Sequence, residues 1–430
     1  MVKVIGGGLA GVEVAYFLAN RKVSVKLYEM RPLKYSEAHQ SDLLGELVCS
    51  NSLRSNNIET AVGLLKEEMK ALDSLIIKAA EYAQIKGGTS LMVDRVKFST
   101  YIDNVIKNHP YIDVINEEVT TIRLDELTVI ATGPLSSKGM VEELLKLTEC
   151  DSLNFYDAVA PIIDIDSINL DICYFKDRYQ EGVGTYLNCP MTKEEYDKFY
   201  QELITAERHA PKEFEKEIFE ACMPIEVMAD RGYQTPLFGP LKPVGLESDS
   251  KRPYAVVQLR PDDFSKQMYN IVGFQTSLKH GEQLRVIRLI PGLEKAQILR
   301  YGVVHKNTYF DSPKILKRGF QFRDFDKLFL VGQISGVEGY VESAASGIAA
   351  AINIYSQLKF DKDLLLPDET MLASLDRYIS TPNYNFVPMN ANFGIIKPLD
   401  ERVKKKERRL AYAKRSLDEL KKFKKENEWI

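Results

Sequence analysis

The sequence has few of the residues that mark a metalloprotein, a disulfide-stapled protein or a membrane protein. Its 430 residues include five histidines, five cysteines and a single tryptophan. The cysteines form no close pair of the metal-binding kind, so we expect reduced thiols and no metal site. No apolar run is as long as a membrane span, and Met1–Ile5 leads straight into a strand without room for a signal peptide. We therefore expect a cytoplasmic protein with no membrane partner, large enough for two domains.

The charge is unevenly distributed along the chain. The net charge is −4, yet Arg402 to Lys425 holds 12 Lys or Arg against 3 Asp or Glu, a local balance of +9. Such a patch can bind a polyanion, although basic terminal helices are more often only solvated faces. Apolar residues from Leu410 to Leu420 recur at spacings of three and four, which predicts a helix. The candidate contacts to nucleic-acid phosphates are Lys404, Lys405, Arg408, Arg409, Lys414 and Arg415.

The N-terminal stretch predicts the opening of a parallel, doubly wound sheet. Val2–Ile5 has the pattern of a strand, Leu9–Asn20 that of a helix, and Val23–Tyr28 that of a second strand. The order strand, turn, helix, strand is typical of nucleotide-binding α/β domains.

Three glycines occupy the first turn of this unit. Gly6 permits the tight turn, Gly8 lets the backbone approach a pyrophosphate, and Gly11 lets the helix and strand pack closely. Glu29 follows the second strand, where a carboxylate accepts hydrogen bonds from the adenosine ribose. The combination predicts a dinucleotide site.

The middle of the chain has a different texture. Between about Asp157 and Phe310, Pro, Tyr and Asp become frequent and apolar residues alternate, which favours a largely antiparallel sheet with helices. Lys327–Gly332 then resumes the parallel-sheet style and is followed by a helix over Val341–Leu358. We therefore expect a nucleotide-binding domain in two parts, 1–156 and 311–430, around an insertion domain at 157–310.

Three later features favour FAD over NAD. They are Val93-Asp94-Arg95, the strand end Ala131-Thr132-Gly133, and Val331-Gly332-Gln333 leading through Gly336 and Gly339 into a helix. A late glycine-rich junction brings backbone N–H groups to a second part of a long dinucleotide, although each feature alone also fits an ordinary crossover. The candidate cofactor-binding residues are Gly6, Gly8, Leu9, Ala10, Gly11, Glu29, Arg31, Asp94, Arg95, Thr132, Gly133, Gly332, Gln333 and Gly339.

Two cysteines stand in polar company. A buried cysteine is usually inert packing, which suits Cys150 and Cys173. Cys49 and Cys222 have charged or polar neighbours that could stabilise a thiolate, so they are the candidate reactive thiols. His39, ten residues before Cys49, could carry a proton, although packing is the more common role for such a histidine.

Long segments of the chain match one family. They are Glu46-Leu-Val-Cys-Ser-Asn-Ser-Leu-Arg54, Ala61-Val-Gly-Leu-Leu-Lys-Glu-Glu-Met69, Tyr186-Leu-Asn-Cys-Pro-Met191, Cys222-Met-Pro-Ile-Glu-Val-Met228, Arg252-Pro-Tyr-Ala-Val-Val-Gln-Leu-Arg260, Gly336-Val-Glu-Gly-Tyr-Val-Glu-Ser-Ala-Ala-Ser-Gly347 and Met389-Asn-Ala-Asn-Phe-Gly394. Over nearly its whole length the chain resembles the folate- and FAD-dependent RNA uracil-5-methyltransferases.

The resemblance implies a fold and a reaction. The fold is α/β, with a Rossmann-like FAD-binding domain of the glutathione-reductase type and an inserted α+β domain. The carbon comes from 5,10-methylenetetrahydrofolate, the electrons come from reduced FAD, and NADH or NADPH recharges the flavin. Cys222 is then the thiolate that adds to uracil C6, which makes C5 nucleophilic. Cys49 is implied as the second thiol, removing the C5 proton or guarding the flavin, and Tyr340 is expected against the flavin ring.

Departures from the family pattern bear on the RNA target. The chain has Ala38-His-Gln-Ser-Asp42, Gly45 and Thr89-Ser-Leu-Met92 where the family usually has other residues. The implied product is 5-methyluridine at position 54 of tRNA, and a uridine of 23S ribosomal RNA is the alternative. Less favoured readings are a dithiol flavin oxidoreductase and a flavin-bearing RNA-binding protein without catalysis.

Overall fold

The computed structural model describes residues 1–85, 89–148, 150, 152–179, 182–209, 223–247, 252–383 and 386–430. The helices are α1 Leu9–Ala19, α2 Ala61–Ala71, α3 Leu75–Tyr82, α4 Arg95–Lys107, α5 Lys138–Thr148, α6 Lys193–Thr205, α7 Ile225–Asp230, α8 Thr235–Phe238, α9 His280–Ile287, α10 Ser312–Ile315, α11 Tyr340–Phe360, α12 Met371–Ser380 and α13 Arg408–Glu426. The strands are β1 Val2–Ile5, β2 Val25–Glu29, β3 Ser52–Ser55, β4 Gln84–Ile85, β5 Ser90–Val93, β6 Ile112–Asn116, β7 Thr128–Ile130, β8 Ser152–Ala158, β9 Ile162–Asp164, β10 Tyr174–Phe175, β11 Leu187–Met191, β12 Ala255–Pro261, β13 Met268–Ile271, β14 Ile298–Arg300, β15 Val304–Phe310, β16 Leu316–Lys317, β17 Gln321–Phe322 and β18 Leu328–Leu330.

The main sheet has seven strands in the order β16-β17-β18-β7-β1-β2-β6. Its central pairs β1–β2, β1–β7, β2–β6 and β7–β18 are parallel, as expected for short apolar strands joined by helical crossovers. The helices α1 and α11 pack closely, because Gly347 leaves no side chain between α11 and the Ala10 carbonyl; a Cβ there would lie 2.4 Å from that oxygen. This arrangement confirms the α/β class.

A second sheet of six strands, β10-β11-β12-β13-β9-β14, is antiparallel throughout. It has its own apolar core, whose buried members fall between Ala160 and Ala296, whereas the first core draws on both ends of the chain. The strands β8 and β15 pair antiparallel where the chain leaves and re-enters the first unit. The domain boundaries 1–156, 157–310 and 311–430 themselves stay a prediction.

Leu, Met and Ala recur at helical spacing between Leu64 and Ala83, and this stretch contributes to two helices, α2 and α3. α2 ends at Ala71, Asp73 takes a positive φ of 65°, and the Ser74 side chain caps α3 by accepting from the Ile77 N–H. Within the described ranges, no helix is both long enough and apolar enough to cross a bilayer.

A buried carboxylate fastens the C-terminal helices to α2. Glu68 accepts from the N–H groups of Met371 at 2.7 Å and Leu372 at 2.9 Å, at the start of α12, and from the Ser416 hydroxyl of α13. Burial raises the pKa of Glu68 to about 7, against the opposing effect of these hydrogen bonds.

Candidate active site

The glycine turn between β1 and α1 has two kinds of glycine. A Cβ on Gly6 would lie 2.4 Å from the Ala131 carbonyl oxygen, and a Cβ on Gly11 would lie 1.9 Å from the Gly6 carbonyl oxygen. A Cβ on Gly8 would meet no atom within 4 Å. Gly6 and Gly11 therefore serve packing, whereas Gly8 leaves open space in front of the N-terminus of α1, where an anion is favoured.

Glu29 ends β2 beside this turn. Its Oε2 accepts from the Gly7 N–H at 2.9 Å, and its Oε1 accepts from Arg31 Nε at 3.0 Å. Although burial opposes it, the hydrogen bonds and positive charge of Arg31 lower the pKa of Glu29, so the carboxylate stays ionised. Arg31 also donates to Glu46 at 3.0 Å and lies behind the acid, where it orients Glu29.

A cleft with about 980 Å³ of open space lies at the carboxyl ends of the parallel strands, beside the glycine turn and Glu29. Its walls come from the junctions after β1, β7 and β18, since parallel strands open a crevice at their carboxyl ends. Gly133 has a φ of +69°, and a Cβ on it, as on Gly8, would meet no atom within 4 Å. The sequence-predicted residues that line the cleft are Gly6, Gly8, Leu9, Ala10, Glu29, Thr132, Gly133, Gly332, Gln333 and Tyr340.

The residues present fit a long dinucleotide such as FAD. The cleft joins an open helix N-terminus at Gly8 to an ionised acid at Glu29, and it continues past Gly133 to the Gly332 turn. These are the groups that a pyrophosphate, a ribose and a second ring system would meet.

Asp94 and Arg95 do not line the cleft, and neither do the other predicted contacts Gly11, Arg31 and Gly339. Asp94 caps α4 by accepting from the Lys97 N–H at 2.9 Å, and it also accepts from the Phe264 N–H at 3.0 Å. Arg95 contacts Asp262 and the loop before β3. The strand before Asp94 and Arg95, β5, pairs with β3 and β4 in a small antiparallel sheet and not with the strands of the main sheet.

A second cavity, with about 1030 Å³ of open space, adjoins the cleft. The residues that line both are Val48, Pro134, Leu135, Gln333 and Tyr340. Cys49, His305 and Gly339 line the second cavity but not the first cleft. The two spaces therefore share a wall at the segment that carries Cys49.

Cys49 is held against the first turn of α11. Its N–H donates to the Tyr340 hydroxyl at 2.6 Å, which places one predicted thiol beside the predicted flavin neighbour. Cys222 lies outside the described residues. Ile225 of α7 donates its N–H to Gln275 at 2.8 Å, and Gln275 lines the second cavity.

His305 is a candidate functional residue that sequence reasoning missed. It is 4% exposed, and neither ring nitrogen has a hydrogen-bond partner among the described residues. Burial lowers its pKa, with Arg300 acting in the same direction and Glu37 opposing, so the imidazole is neutral at neutral pH. A lone histidine without ligand spacing gave no signal in the sequence.

His39 lines the first cleft, with Nδ1 2.6 Å from the Ser36 hydroxyl. Burial and the Arg31 charge lower its pKa to about 4, against the opposing charges of Glu46 and Glu29. Its ring is therefore neutral at neutral pH. In the part of the chain that the structure describes, no group of three or more His, Cys, Asp or Glu is arranged to hold a metal.

The basic C-terminal segment covers α13 and the residues before it. Lys404, Lys405, Arg408, Arg409 and Lys414 are exposed. Arg415 already donates from both Nη groups to the carbonyls of Pro398 and Lys397.

The two ends of α13 have different neighbours. The Tyr412 ring stacks on Phe393 near the start of the helix, with centroids 5.7 Å apart, and Asn390 of the same segment lines the second cavity. At the other end, Trp429 packs on Tyr355. The expected apolar face is correct for Ala413 and Leu420, whereas Leu410 is 50% exposed because it lies in the first turn, outside the buried contact with α2.

The chain is similar to known proteins along most of its length. The family model described as "Glucose inhibited division protein A" matches residues 1–362. A methylenetetrahydrofolate–tRNA-(uracil-5-)-methyltransferase TrmFO of Bacillus subtilis (strain 168) is 55% identical over 424 residues, covering 97% of both chains. The TrmFO of Staphylococcus carnosus (strain TM300) is 54% identical over 430 residues, covering 99% of this chain and 98% of that protein.

A solved structure supports the fold. Aquifex aeolicus GidA, in its form II crystal, matches with a TM-score of 0.69 at 18% identity, covering 97% of this chain and 73% of that one. The relatives match along almost their full length and the family model covers most of the chain. The chain belongs to the glucose-inhibited-division-protein-A family and, within it, to the TrmFO group.

Proposed function

We propose that this protein methylates C5 of a uridine in tRNA, giving 5-methyluridine, with 5,10-methylenetetrahydrofolate as the carbon donor. The observation that carries the proposal is the shared wall between the dinucleotide cleft and the second cavity, with Tyr340 on the wall and Cys49 next to it in the second cavity. A carbon donor and a uracil base in the second cavity would lie next to a cofactor ring in the cleft.

The cleft is assigned to FAD and the second cavity to the folate and the target base. Reduced FAD, when bound, supplies the two electrons that bring the transferred carbon from the methylene to the methyl level. Gly8, Gly133 and Gly332 would give the cofactor close backbone approach, and Glu29 would accept from its ribose. NADH or NADPH as the source of those electrons rests on the resemblance alone.

The chain's own groups have separate tasks in this scheme. The Cys222 thiolate would add to uracil C6, which makes C5 nucleophilic, and it would leave when the C5 proton is lost. The Cys49 thiol, which lies in the second cavity next to the shared wall, is assigned to that proton or to protection of the flavin. The neutral His305 ring, with both nitrogens unpaired among the described residues, is a flat surface against which a pteridine or a base can stack.

The RNA is assigned to the surface at the N-terminal end of α13. Lys404, Lys405, Arg408 and Arg409 form an exposed basic group there, and Tyr412 connects this end to the segment that lines the second cavity. Phosphates bound at this group would lie on the cavity side of the molecule. A cytoplasmic location stays a prediction.

The test is to map 5-methyluridine in tRNA and 23S rRNA from cells with and without the gene. We expect the modification to vanish from tRNA in the deletion, to return with the wild-type gene and not to return with Cys222→Ala. Loss from 23S rRNA alone would move the same chemistry to the ribosomal target. Unchanged 5-methyluridine in both RNAs would refute the proposed function.

A further inference from the structure

The loop that carries Cys49 is held by arginines through its backbone. The carbonyls of three consecutive residues accept from guanidinium groups: Leu47 from Arg95 Nη1 at 2.6 Å, Val48 from Arg300 Nη2 at 3.1 Å, and Cys49 from Arg95 Nη2 at 2.9 Å. A planar guanidinium can hold two carbonyls in a fixed geometry, which a flexible ammonium cannot.

Arg95 is itself fixed by a buried acid of the second sheet. Its Nε donates to Asp262 Oδ2 at 2.8 Å and its Nη2 to Asp262 Oδ1 at 3.1 Å, a two-pronged pair with the carboxylate 2% exposed. Asp262 follows β12 directly, and Arg300 ends β14 of the same sheet. The Cys49 loop is thus held between the start of α4 and the ends of two strands of the six-stranded sheet.

A further bond ties the same two units together. The Asn51 side-chain amide donates to the carbonyl of Val93, two residues before Arg95, and to the carbonyl of Pro261, next to Asp262, each at 3.1 Å. Both ends of the Arg95–Asp262 pair are therefore connected to the segment two residues after Cys49. A shift of the second sheet would be transmitted to this segment.

The clamp also places positive charge near the thiol. Burial opposes ionisation of Arg95, but Asp262, Tyr340 and Cys49 all favour its charged form and raise its pKa. By the same coupling, the Arg95 cation favours the thiolate of Cys49. Asp262 offsets part of this charge.

We propose that Arg95 and Asp262 are positioning residues for methyl transfer: they hold the Cys49 loop in place beside the wall between the two cavities and keep a cation near its thiol. Arg95 thus takes a different role from the cofactor contact expected from the sequence. The proposal rests on the proposed function of Cys49 as a working thiol.

The first test separates position from charge by kinetics on the FAD-loaded enzyme. Arg95→Lys keeps the charge and loses the fork, so we expect kcat to fall about 100-fold with little change in the KM for tRNA. Asp262→Asn should lower kcat about tenfold, because the guanidinium keeps its carbonyls but loses its anchor. Arg318→Lys is the control, since the Nε of Arg318 also donates to a buried carboxylate, that of Asp376, and neither residue lines either cavity.

The second test reads the thiol without any RNA. Tryptic peptide Tyr35–Arg54 contains Cys49 as its single cysteine, so its alkylation by iodoacetamide can be followed by mass spectrometry against pH. Arg95→Gln should move the half-maximal alkylation up by about one pH unit or more, Arg95→Lys should leave it in place, and Asp262→Asn should move it down. Peptide Tyr179–Lys193, with the fully buried Cys189 as its only cysteine, reports whether each variant stays folded.

The outcomes decide the matter. The proposal is overturned if Arg95→Lys and Asp262→Asn lose no more kcat than Arg318→Lys, if the Cys49 alkylation curve is the same in all variants, or if Cys189 becomes reactive whenever kcat falls. The alkylation arm works whether or not the wild-type protein methylates RNA. A wild-type enzyme that makes no 5-methyluridine would therefore refute the proposed function without deciding the clamp.

Discussion

Adding a single methyl group at two glycines of the same turn should have opposite effects. At Gly8, φ is −78° and ψ is −173°, an extended conformation that alanine adopts easily, and the methyl would enter open space. At Gly11 the methyl would lie 1.9 Å from the Gly6 carbonyl oxygen and 3.3 Å from the Ala131 Cβ. Gly8→Ala therefore perturbs the cofactor site, and Gly11→Ala perturbs the fold.

The magnitudes follow from these contacts. Gly11→Ala must displace the turn, and overpacking of this kind costs about 3 kcal/mol in the free energy of unfolding. Gly8→Ala should change the stability of the apoprotein by less than about 0.5 kcal/mol, as for an open position. If its methyl costs one charge-assisted hydrogen bond to the pyrophosphate, about 1.5–3 kcal/mol, the Kd for FAD rises roughly 10- to 150-fold.

The assay pairs two measurements on each apoprotein. Urea unfolding followed by circular dichroism gives the stability, and quenching of FAD fluorescence gives the Kd. The cleft assignment is refuted if Gly8→Ala binds FAD as tightly as the wild type. The packing argument is refuted if Gly8→Ala loses as much stability as Gly11→Ala.

Three further predictions follow from other contacts. Burial raises the pKa of Glu68 to about 7 in the folded state, so its contribution to stability is complete below about pH 4.5 and is lost as pH rises towards 7, by up to about 1.4 kcal/mol per pH unit. Urea unfolding at pH 5 and pH 7.5 should therefore show that the stability of Glu68→Gln depends less on pH than that of the wild type. An unchanged pH dependence would contradict this. Tyr340→Phe removes the acceptor of the Cys49 N–H and should lower kcat roughly three- to tenfold at normal flavin content, whereas full activity would argue against this contact. Lys404→Glu with Lys405→Glu should weaken tRNA binding and reduce its salt dependence by about one to two ions. The control Lys421→Glu with Lys425→Glu, at the end of α13 near Trp429, should have a smaller effect. Equal effects would contradict the assignment of the RNA to the N-terminal end of α13.

Most of the predicted residues that line the cleft are encoded in short stretches of sequence. Gly6, Gly8 and Glu29 lie within one strand–helix–strand unit, and the spacing of its apolar residues and glycines determines where each comes to lie. Gln333 and Tyr340 were found for the same reason, since Gly332 and Gly339 mark the junction before α11.

The parts that were missed depend on long-range contacts. Arg95 was expected at the cofactor as part of Val93-Asp94-Arg95, but the sequence does not show which distant residues it contacts. Its partner Asp262 lies 167 residues along the chain. His305 becomes notable only when burial leaves both its nitrogens unpaired among the described residues, and this cannot be seen from a lone histidine.

The break between α2 and α3 was within reach of local reasoning. Asp73 and Ser74 interrupt an otherwise helical spacing, and serine is a preferred N-cap. The apolar pattern on both sides concealed the signal, because the two helices each bury residues of the same type. At this point Asp73 and Ser74 mark the break between the helices, which the apolar periodicity does not show.

The central claim is that the methyl carbon comes from folate, and isotope labelling tests it most directly. Purified, FAD-loaded protein is incubated with unmodified tRNA, NADPH or NADH, and 5,10-methylenetetrahydrofolate carrying ¹³C in its methylene group. We expect 5-methyluridine one mass unit heavier than the unlabelled nucleoside, and none with Cys222→Ala. Unlabelled 5-methyluridine, or none with the wild-type enzyme, would contradict it.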